Sequence, residues 1–385
     1  VSNLLLELKG ERIAETNGLH GTFNDGKFKI PRFNLDLLDQ GNLRIGGSGD
    51  IFGDIEINAE GEIPLKAANV FVPDLQGIKG RLQVMTFVNG PLNRPKLEGT
   101  IKIVEGGFRI PELQQTLHAM NGQMTFAAGE DVMGRFSGML DDGRFDLDAK
   151  IELDGFSPTW IDARMTATAL PFKVPQTMEM LLSADLAMQG SPEDILVNGE
   201  IVLLEGLYYK NFKLNLLEAM QTKEREGTPP TVKEVNPLLK PLRFDIHMKH
   251  RQPFVVDNNI ADMDINPDIV LKGTPENPLL TGSARVSDGT ITYQNKVFEV
   301  QKGAVDFVNP YKTEAEIDIK GRVDIREWQI TISLYGPPDR LTVELTSVPA
   351  EEDADIISLL VFNKTTYELN EGGSGAEQSP AVLLS

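Results

Sequence analysis

Residues 90–108 read GPLNRPKLEGTIKIVEGGF, and two later stretches repeat the spacing of their glycines. Residues 190–208 read GSPEDILVNGEIVLLEGLY, and residues 273–291 read GTPENPLLTGSARVSDGTI. In each copy the second glycine follows the first by nine residues, and the third follows the second by seven. A partial fourth copy begins at Gly336. The shared offsets indicate an internal structural repeat.

Each part of this repeat predicts a structural feature. The first glycine and the prolines beside it predict a turn, because proline cannot donate to a strand ladder. An alternating strand follows, in which Leu97, Gly99 and Ile101 share one face. A glycine inside a strand marks a bulge, a bend or a close approach, so we expect a crease where Gly99, Gly199 and Gly282 recur. The third glycine is predicted to close a hairpin.

Alternation of polar and apolar residues runs through most of the chain and predicts half-buried strands. In residues 144–154, RFDLDAKIELD, every second side chain is apolar and lies on one face of the strand, whereas the side chains of the other face are charged. The same pattern recurs in residues 54–57, 243–250, 314–319, 328–334 and 340–345. We therefore expect an all-β chain.

Turns and helices complete this prediction. Asp-Gly pairs favour hairpins between neighbouring strands at residues 24–26, 141–143 and 287–289, which predicts an antiparallel meander. Helical periodicity is confined to residues 215–222, before a loop to residue 240, and to residues 351–362, behind an acidic first turn. Roughly 25–30 strands at about 4.8 Å would give a sheet on the order of 100 Å long. Such a sheet must bend lengthwise, because a bare apolar face of that size aggregates.

Composition excludes several classes of function. The 385-residue chain is 41% hydrophobic and has no cysteine, so we expect no disulfide or thiolate metal site. A net charge of −20 argues against nucleic acid as a partner. The four histidines are scattered, and the acidic residues 256–268 lack the glycine and closing glutamate of a calcium loop. Catalytic motifs are absent, so we expect neither an enzyme nor a cofactor.

The repeats and the ending together resemble a known family. Residues 341–364, LTVELTSVPAEEDADIISLLVFNK, combine a serine and proline, an acidic helix start and a Leu-Leu-apolar-Phe run. With the Gly-x-x-x-x-Pro-x-Leu-x-Gly repeats, this ending is similar to the C-terminal part of the TamB family of translocation and assembly module subunits. Val348 and Asn363 stand where the family commonly has other residues.

The resemblance implies a fold and a location. It implies a long antiparallel sheet bent into a U-shaped trough, the β-taco, with an apolar interior and a short C-terminal helix. Residues 1–348 would form the trough, with a helix or loop insertion near 213–240, and residues 349–385 would form an amphipathic helix and a flexible tail. The full-length protein would lie in the periplasm of a Gram-negative bacterium, anchored in the inner membrane by an N-terminal segment missing here.

The resemblance also implies partners and a function. Such a trough would carry phospholipid acyl chains between the two membranes, and a TamA-like Omp85 outer-membrane barrel would be a partner. We expect the trough to be lined by Phe145, Leu147, Ile151, Leu153, Phe244, Ile246, Met248, Ile317, Ile319, Ile330, Ile332 and Leu334. Periodicity alone does not separate an open trough from a closed sandwich core. The alternative function is a chaperone or scaffold for the assembly of outer-membrane β-barrels or for autotransporter secretion.

Overall fold

The computed structural model describes residues 3–8, 11–17, 20–37, 41–70, 76–111, 114–129, 131–211, 239–309, 311–337 and 341–371. Two compact units are present, and each is described by itself. The first comprises residues 1–175, 181–201 and 241–243, and the second comprises residues 176–180, 202–240 and 244–385. Both consist almost entirely of β-strands, as the alternation predicts.

Strands of the first unit follow one another in sequence order. They are β1 (Asn3–Leu8), β2 (Glu11–Asn17), β3 (Thr22–Asn24), β4 (Lys27–Leu37), β5 (Gly41–Asp50), β6 (Asp54–Pro64), β7 (Gln76–Pro91), β8 (Lys96–Ile110), β9 (Gln115–Phe126), β10 (Val132–Leu140), β11 (Gly143–Asp154) and β12 (Ser157–Val174). A 3-10 helix, Leu65–Val70, follows β6. Consecutive strands from β3 to β12 pair antiparallel, which confirms the predicted meander in this unit.

Three strands, β13 (Met178–Ser191), β14 (Asp194–Tyr208) and β15 (Leu242–His250), have residues in both units. The remaining elements are β16 (Phe254–Asp257), β17 (Ala261–Gly273), β18 (Pro278–Tyr293), β19 (Lys296–Phe307), β20 (Glu316–Ile325), β21 (Trp328–Gly336), β22 (Thr342–Val348), α1 (Asp353–Phe362) and α2 (Thr366–Glu371). The predicted C-terminal helix is therefore confirmed as α1. The predicted helix at residues 215–222 lies outside the described residues.

Among the described strands, three pairs depart from the predicted antiparallel meander of sequence neighbours. β2 pairs with β4 and β15 pairs with β17, both antiparallel. β14 and β16 run parallel, with Gly206 opposite Phe254. Parallel neighbours need a connection that returns across the sheet, which a tight hairpin does not supply. The segment between β14 and β16 covers residues 209–253 and includes β15, and the insertion predicted near residues 213–240 lies largely outside the described ranges.

The second glycine of the repeat makes a close approach, as the sequence predicts. Gly99, Gly199 and Gly282 have φ values of 125°, 136° and 114°, a region that residues with a Cβ avoid. A Cβ at these positions would lie 2.1–2.3 Å from a backbone carbonyl oxygen of the preceding strand. Only glycine fits there, which explains why it recurs.

The third glycine of the repeat does not close a hairpin, contrary to the prediction. Gly106, Gly206 and Gly289 lie inside β8, β14 and β18, and each strand continues beyond its glycine. The Asp-Gly hairpin predicted at residues 287–289 is wrong for the same reason. β18 ends instead at Gln294 and Asn295, whose φ values are 48° and 59°, a pair of left-handed residues that suits a two-residue hairpin turn.

A closed hydrophobic core is present in the second unit. Ile356, Leu359 and Leu360 of α1 are 0–1% exposed. They belong to one buried cluster together with Met263, Ile291, Phe298, Ile319, Ile325, Trp328, Ile330, Ile332, Leu334, Val343 and Leu345. α1 therefore covers the apolar face of the last strands.

Candidate functional site

The twelve predicted lining residues fall into two kinds of surroundings. In the first unit, Phe145, Leu147, Ile151 and Leu153 are only half-buried on β11. In the second unit, Phe244, Met248 and Ile317 are half-buried, whereas Ile246, Ile319, Ile330, Ile332 and Leu334 are buried. The four residues of β11 therefore share an apolar surface of the first unit, and Ile319, Ile330, Ile332 and Leu334 belong to the closed core of the second unit.

Apolar side chains of β9 to β12 continue one another across neighbouring strands. Leu147 lies opposite Phe136 of β10 and Met165 of β12. Ile151 lies opposite Val132 and Ile161 on the same two strands. We call this surface the β9–β12 apolar face; its described members on β10 to β12 are Val132, Phe136, Phe145, Leu147, Ala149, Ile151, Leu153, Ile161, Ala163, Met165 and Ala167.

Glycines make room for aromatic rings on the β9–β12 apolar face. A Cβ added to Gly122 would lie 2.1 Å from the Phe136 ring, and one added to Gly138 would lie 2.7 Å from the Phe145 ring. Both rings therefore lie over the glycine of the adjacent strand, where a side chain would exclude them. Most of the larger side chains here stay half-buried, so part of their apolar surface remains available to a ligand.

The corresponding face in the second unit is sealed. Ile330 and Ile332 of β21 are 0% and 1% exposed. Two hydrogen bonds hold the segments on either side of α1 against the strands. The indole nitrogen of Trp328 donates to Glu351 Oε1 at 2.8 Å, and Lys296 Nζ donates to Asn363 Oδ1 at 2.6 Å. A ligand cannot reach these residues while α1 is docked.

Contacts of α2 add to this seal. Arg326 donates to both carboxylate oxygens of Glu368 at 3.0 Å, and its guanidinium lies 5.6 Å from the centre of the Trp328 ring. The Thr365 amide and the Arg326 guanidinium both bond to Glu368 and lower the pKa of this carboxyl. Asp355 accepts from the amide and the hydroxyl of Thr366 at 2.7 and 2.6 Å.

The opposite face of the first unit carries charged pairs. Arg135 pairs with Asp148 at 2.8 Å and Arg164 pairs with Asp185. Hydrogen bonding and attraction by these carboxylates raise the pKa of both guanidinium groups. A hollow of about 550 Å³ is lined in part by Arg135, Asp148, Lys150 and Arg164. Exposed pairs of this kind keep the face hydrated and contribute little to stability.

Metal-binding side chains do not converge in the part of the chain that the structure describes. His247 Nε2 lies 2.6 Å from Asp268 Oδ1, and His250 Nδ1 lies 2.9 Å from the Pro267 carbonyl oxygen. Each histidine therefore has a local hydrogen-bond partner and takes no part in a shared site.

Sequence reasoning missed some residues of the β9–β12 apolar face. Phe136 was not among the predicted lining residues because glycines interrupt the alternation of residues 132–140, and Met165 was not because residues 157–174 were not among the stretches identified by their alternation. The Asp141-Asp142 turn places Leu140 opposite Gly143. If residues are paired one by one away from this turn along β10 and β11, Phe136 falls opposite Leu147.

Comparison with known families agrees with this β architecture. The family model described as the TamB C-terminal domain matches residues 134–383. The chain belongs to the TamB family. Members are subunits of the translocation and assembly module of the Gram-negative envelope and act with TamA-type partners. No curated protein matches the chain. Across the described ranges, none of the helices has the length and apolar character needed to span a bilayer.

Proposed function

We propose that the apolar side of the first unit binds phospholipid acyl chains and conducts them between the inner and outer membranes. The observation that carries this proposal is the half-burial of Phe145, Leu147, Ile151 and Leu153, in contrast to the sealed core of the second unit. Each methylene transferred from water to such a surface gains about 0.8 kcal/mol.

The chemistry of the β9–β12 apolar face suits an acyl chain. Its surface is formed by Leu, Ile, Phe, Met and Ala side chains, which attract hydrocarbon without directional contacts. The nine strands from β4 to β12, at about 4.8 Å each, extend over roughly 40 Å, which exceeds the roughly 30 Å hydrocarbon core of a bilayer. Ile103 of β8 lies opposite Leu82 of β7 and Gly122 of β9, and Gly122 lies opposite Phe136. The apolar face therefore continues from β10 to β7, which favours a path over a single pocket.

Family membership supports the cellular setting of this proposal. We propose that the lipid trough expected for residues 1–348 is limited to the first unit, because the second unit has a closed core, and that an N-terminal segment of the full-length protein anchors it in the inner membrane. The proposed outer-membrane partner is a TamA-like Omp85 barrel. In this setting, the role of the trough is to support outer-membrane biogenesis from the periplasm.

Binding of a fluorescent phospholipid tests the proposal. The Leu147→Asp/Ile151→Asp variant places two charges on the β9–β12 apolar face and should abolish binding. The control Arg135→Asp changes a charge on the opposite face of the adjacent strand and should bind like the wild type. Circular dichroism verifies that all three proteins are folded. A wild type that binds no phospholipid, or a double variant that binds normally, would refute the proposal.

A second candidate function is assistance to outer-membrane strands. Among the described residues, β22 pairs on one side with β21, and the last strand of a sheet can accept a further strand. A photo-crosslinker at the exposed Thr346 should then capture barrel precursors in cells. Capture at Thr346 together with absent lipid binding would favour this role over lipid conduction.

A further inference from the structure

Four exposed apolar side chains lie close together on turns of the first unit. Phe23, Ile51, Phe52 and Leu92 are 68%, 39%, 87% and 51% exposed. They lie at or beside the turns that join β3 to β4, β5 to β6 and β7 to β8. Alternate turns of a meander fall on the same edge of the sheet, so these residues share one edge. We call them the edge patch.

Hydrogen bonds between turns hold the edge patch in a row. The Ile51 amide donates to the Gly26 carbonyl oxygen at 2.9 Å, and the Leu92 amide donates to the Gly53 carbonyl oxygen at 3.2 Å. Within its own turn, the Phe52 amide donates to Asp50 Oδ1 at 2.9 Å. The exposed side chains are therefore presented by a fixed backbone, which lowers the entropic cost of binding a ligand.

The edge patch continues the apolar side of the strands. Phe23 lies opposite Phe28, and Phe28 lies opposite Gly49. The same row proceeds through Ile55, which is 4% exposed, to Gly90. This row forms the last apolar line before the turns, so hydrocarbon lying on the strands could reach the edge patch without crossing a polar belt.

Charges around the edge patch balance one another. Although the whole chain carries −20, the turns and adjoining strand ends hold equal numbers of cations and anions: Lys27, Arg94, Lys96, Asp25, Asp50 and Asp54. A zwitterionic headgroup meets no net repulsion there, and both of its charges have nearby counterparts.

We propose that the edge patch is the place where phospholipid acyl chains pass onto the apolar side of the first unit. This inference rests on the proposed lipid-conducting function and adds a point of entry to it. Apolar side chains at the edge shorten the distance over which an acyl chain contacts water, so they lower the barrier to loading without being part of the final binding surface.

Loading kinetics of a triple variant, Phe23→Ser/Phe52→Ser/Leu92→Ser, test this inference. The matched control, Val308→Ser/Tyr311→Ser/Tyr335→Ser, removes side chains of the second unit that are 70%, 83% and 44% exposed. Exposed substitutions leave stability nearly unchanged, and circular dichroism checks this. Transfer of a fluorescent phosphatidylcholine from phosphatidylcholine vesicles to the protein gives the loading rate, and mass spectrometry gives the final lipid occupancy.

The edge-patch variant should load about tenfold more slowly or worse, because each lost aromatic or leucine contact raises the barrier. Its final occupancy and the loading rate of the control should equal those of the wild type. An unchanged rate in the edge-patch variant, with a wild type that binds lipid, would overturn this inference alone. If the edge-patch variant loads at the wild-type rate but has lost self-association in sedimentation, the edge patch would be a contact with a second copy of the chain, and the inference would be overturned. A wild type that never loads would remove the proposed function as well.

Discussion

Replacement of Leu360 by alanine tests whether α1 closes the second unit. Leu360 is completely buried, and its removal leaves a cavity against the strands. Such substitutions typically cost 2–5 kcal/mol, from lost transfer energy and the cavity together. Val361, the next residue, is 38% exposed, so Val361→Ala should cost under about 1 kcal/mol. The two changes sit side by side in the same helix, and they differ in burial.

Tryptophan fluorescence during urea unfolding measures this difference. The chain has two tryptophans, of which Trp160 is 45% exposed and Trp328 is 8% exposed within the core that α1 covers. In a Trp160→Phe background, emission therefore reports on the second unit alone. With a urea dependence of about 1–3 kcal/mol per molar, Leu360→Ala should lower the midpoint by roughly 1–3 M. Equal midpoints for Leu360→Ala and Val361→Ala would refute the docking of α1 and with it the seal.

Three further predictions concern single positions. Gly99→Ala should destabilise the first unit by at least about 2 kcal/mol, because the new Cβ collides with a carbonyl oxygen at a positive φ; thermal unfolding should show little change for Gly21→Ala, where a Cβ makes an ordinary 3.4 Å contact. Gln115→Leu should cost about 1–3 kcal/mol in the same assay, because the completely buried amide donates to a backbone carbonyl oxygen at 2.7 Å; a neutral effect would contradict that role. Glu368 has a lowered pKa in the folded chain, so its contribution to stability is present above its ordinary pKa and is lost as the pH falls through the lowered value. The protection of the Thr365 amide against hydrogen exchange, taken relative to its intrinsic rate at each pH, should fall over that range in the wild type, because this amide donates to Glu368; Glu368→Gln should remove the pH dependence of this protection.

Local features of the fold followed directly from the sequence. A period of two places side chains on alternate faces wherever the strand is regular, so the apolar face of β11 was predictable from residues 144–154. The position of Gly99, Gly199 and Gly282 was informative because a carbonyl oxygen occupies the space of a Cβ at each. An acidic first turn followed by Ile356, Leu359 and Leu360 was enough to place α1.

Other features depend on contacts that periodicity does not encode. Gly289 signals a turn in sequence, but a register shift between β17 and β18 absorbs the irregularity beside it and the strand continues. The parallel pairing of β14 with β16 joins strands that are far apart in sequence, and no local residue pattern encodes it. Leu147 and Ile332 occupy equivalent positions in alternating strands, yet one is half-buried and the other is 1% exposed. Ile332 belongs to a cluster that includes residues of α1 and of neighbouring strands, and this packing is not encoded in the alternation.

Photo-crosslinking to lipid from cells tests most directly whether the first unit holds acyl chains. A benzophenone amino acid would be placed at Leu147 in one variant and at Ile332 in another, and each protein would be irradiated in cells, purified and analysed by mass spectrometry. We predict phospholipid adducts at position 147 and none at position 332, because α1 seals the latter from ligands. Adducts at neither position, from folded proteins with intact photochemistry, would contradict the proposal that this TamB-family chain carries lipid on its first unit.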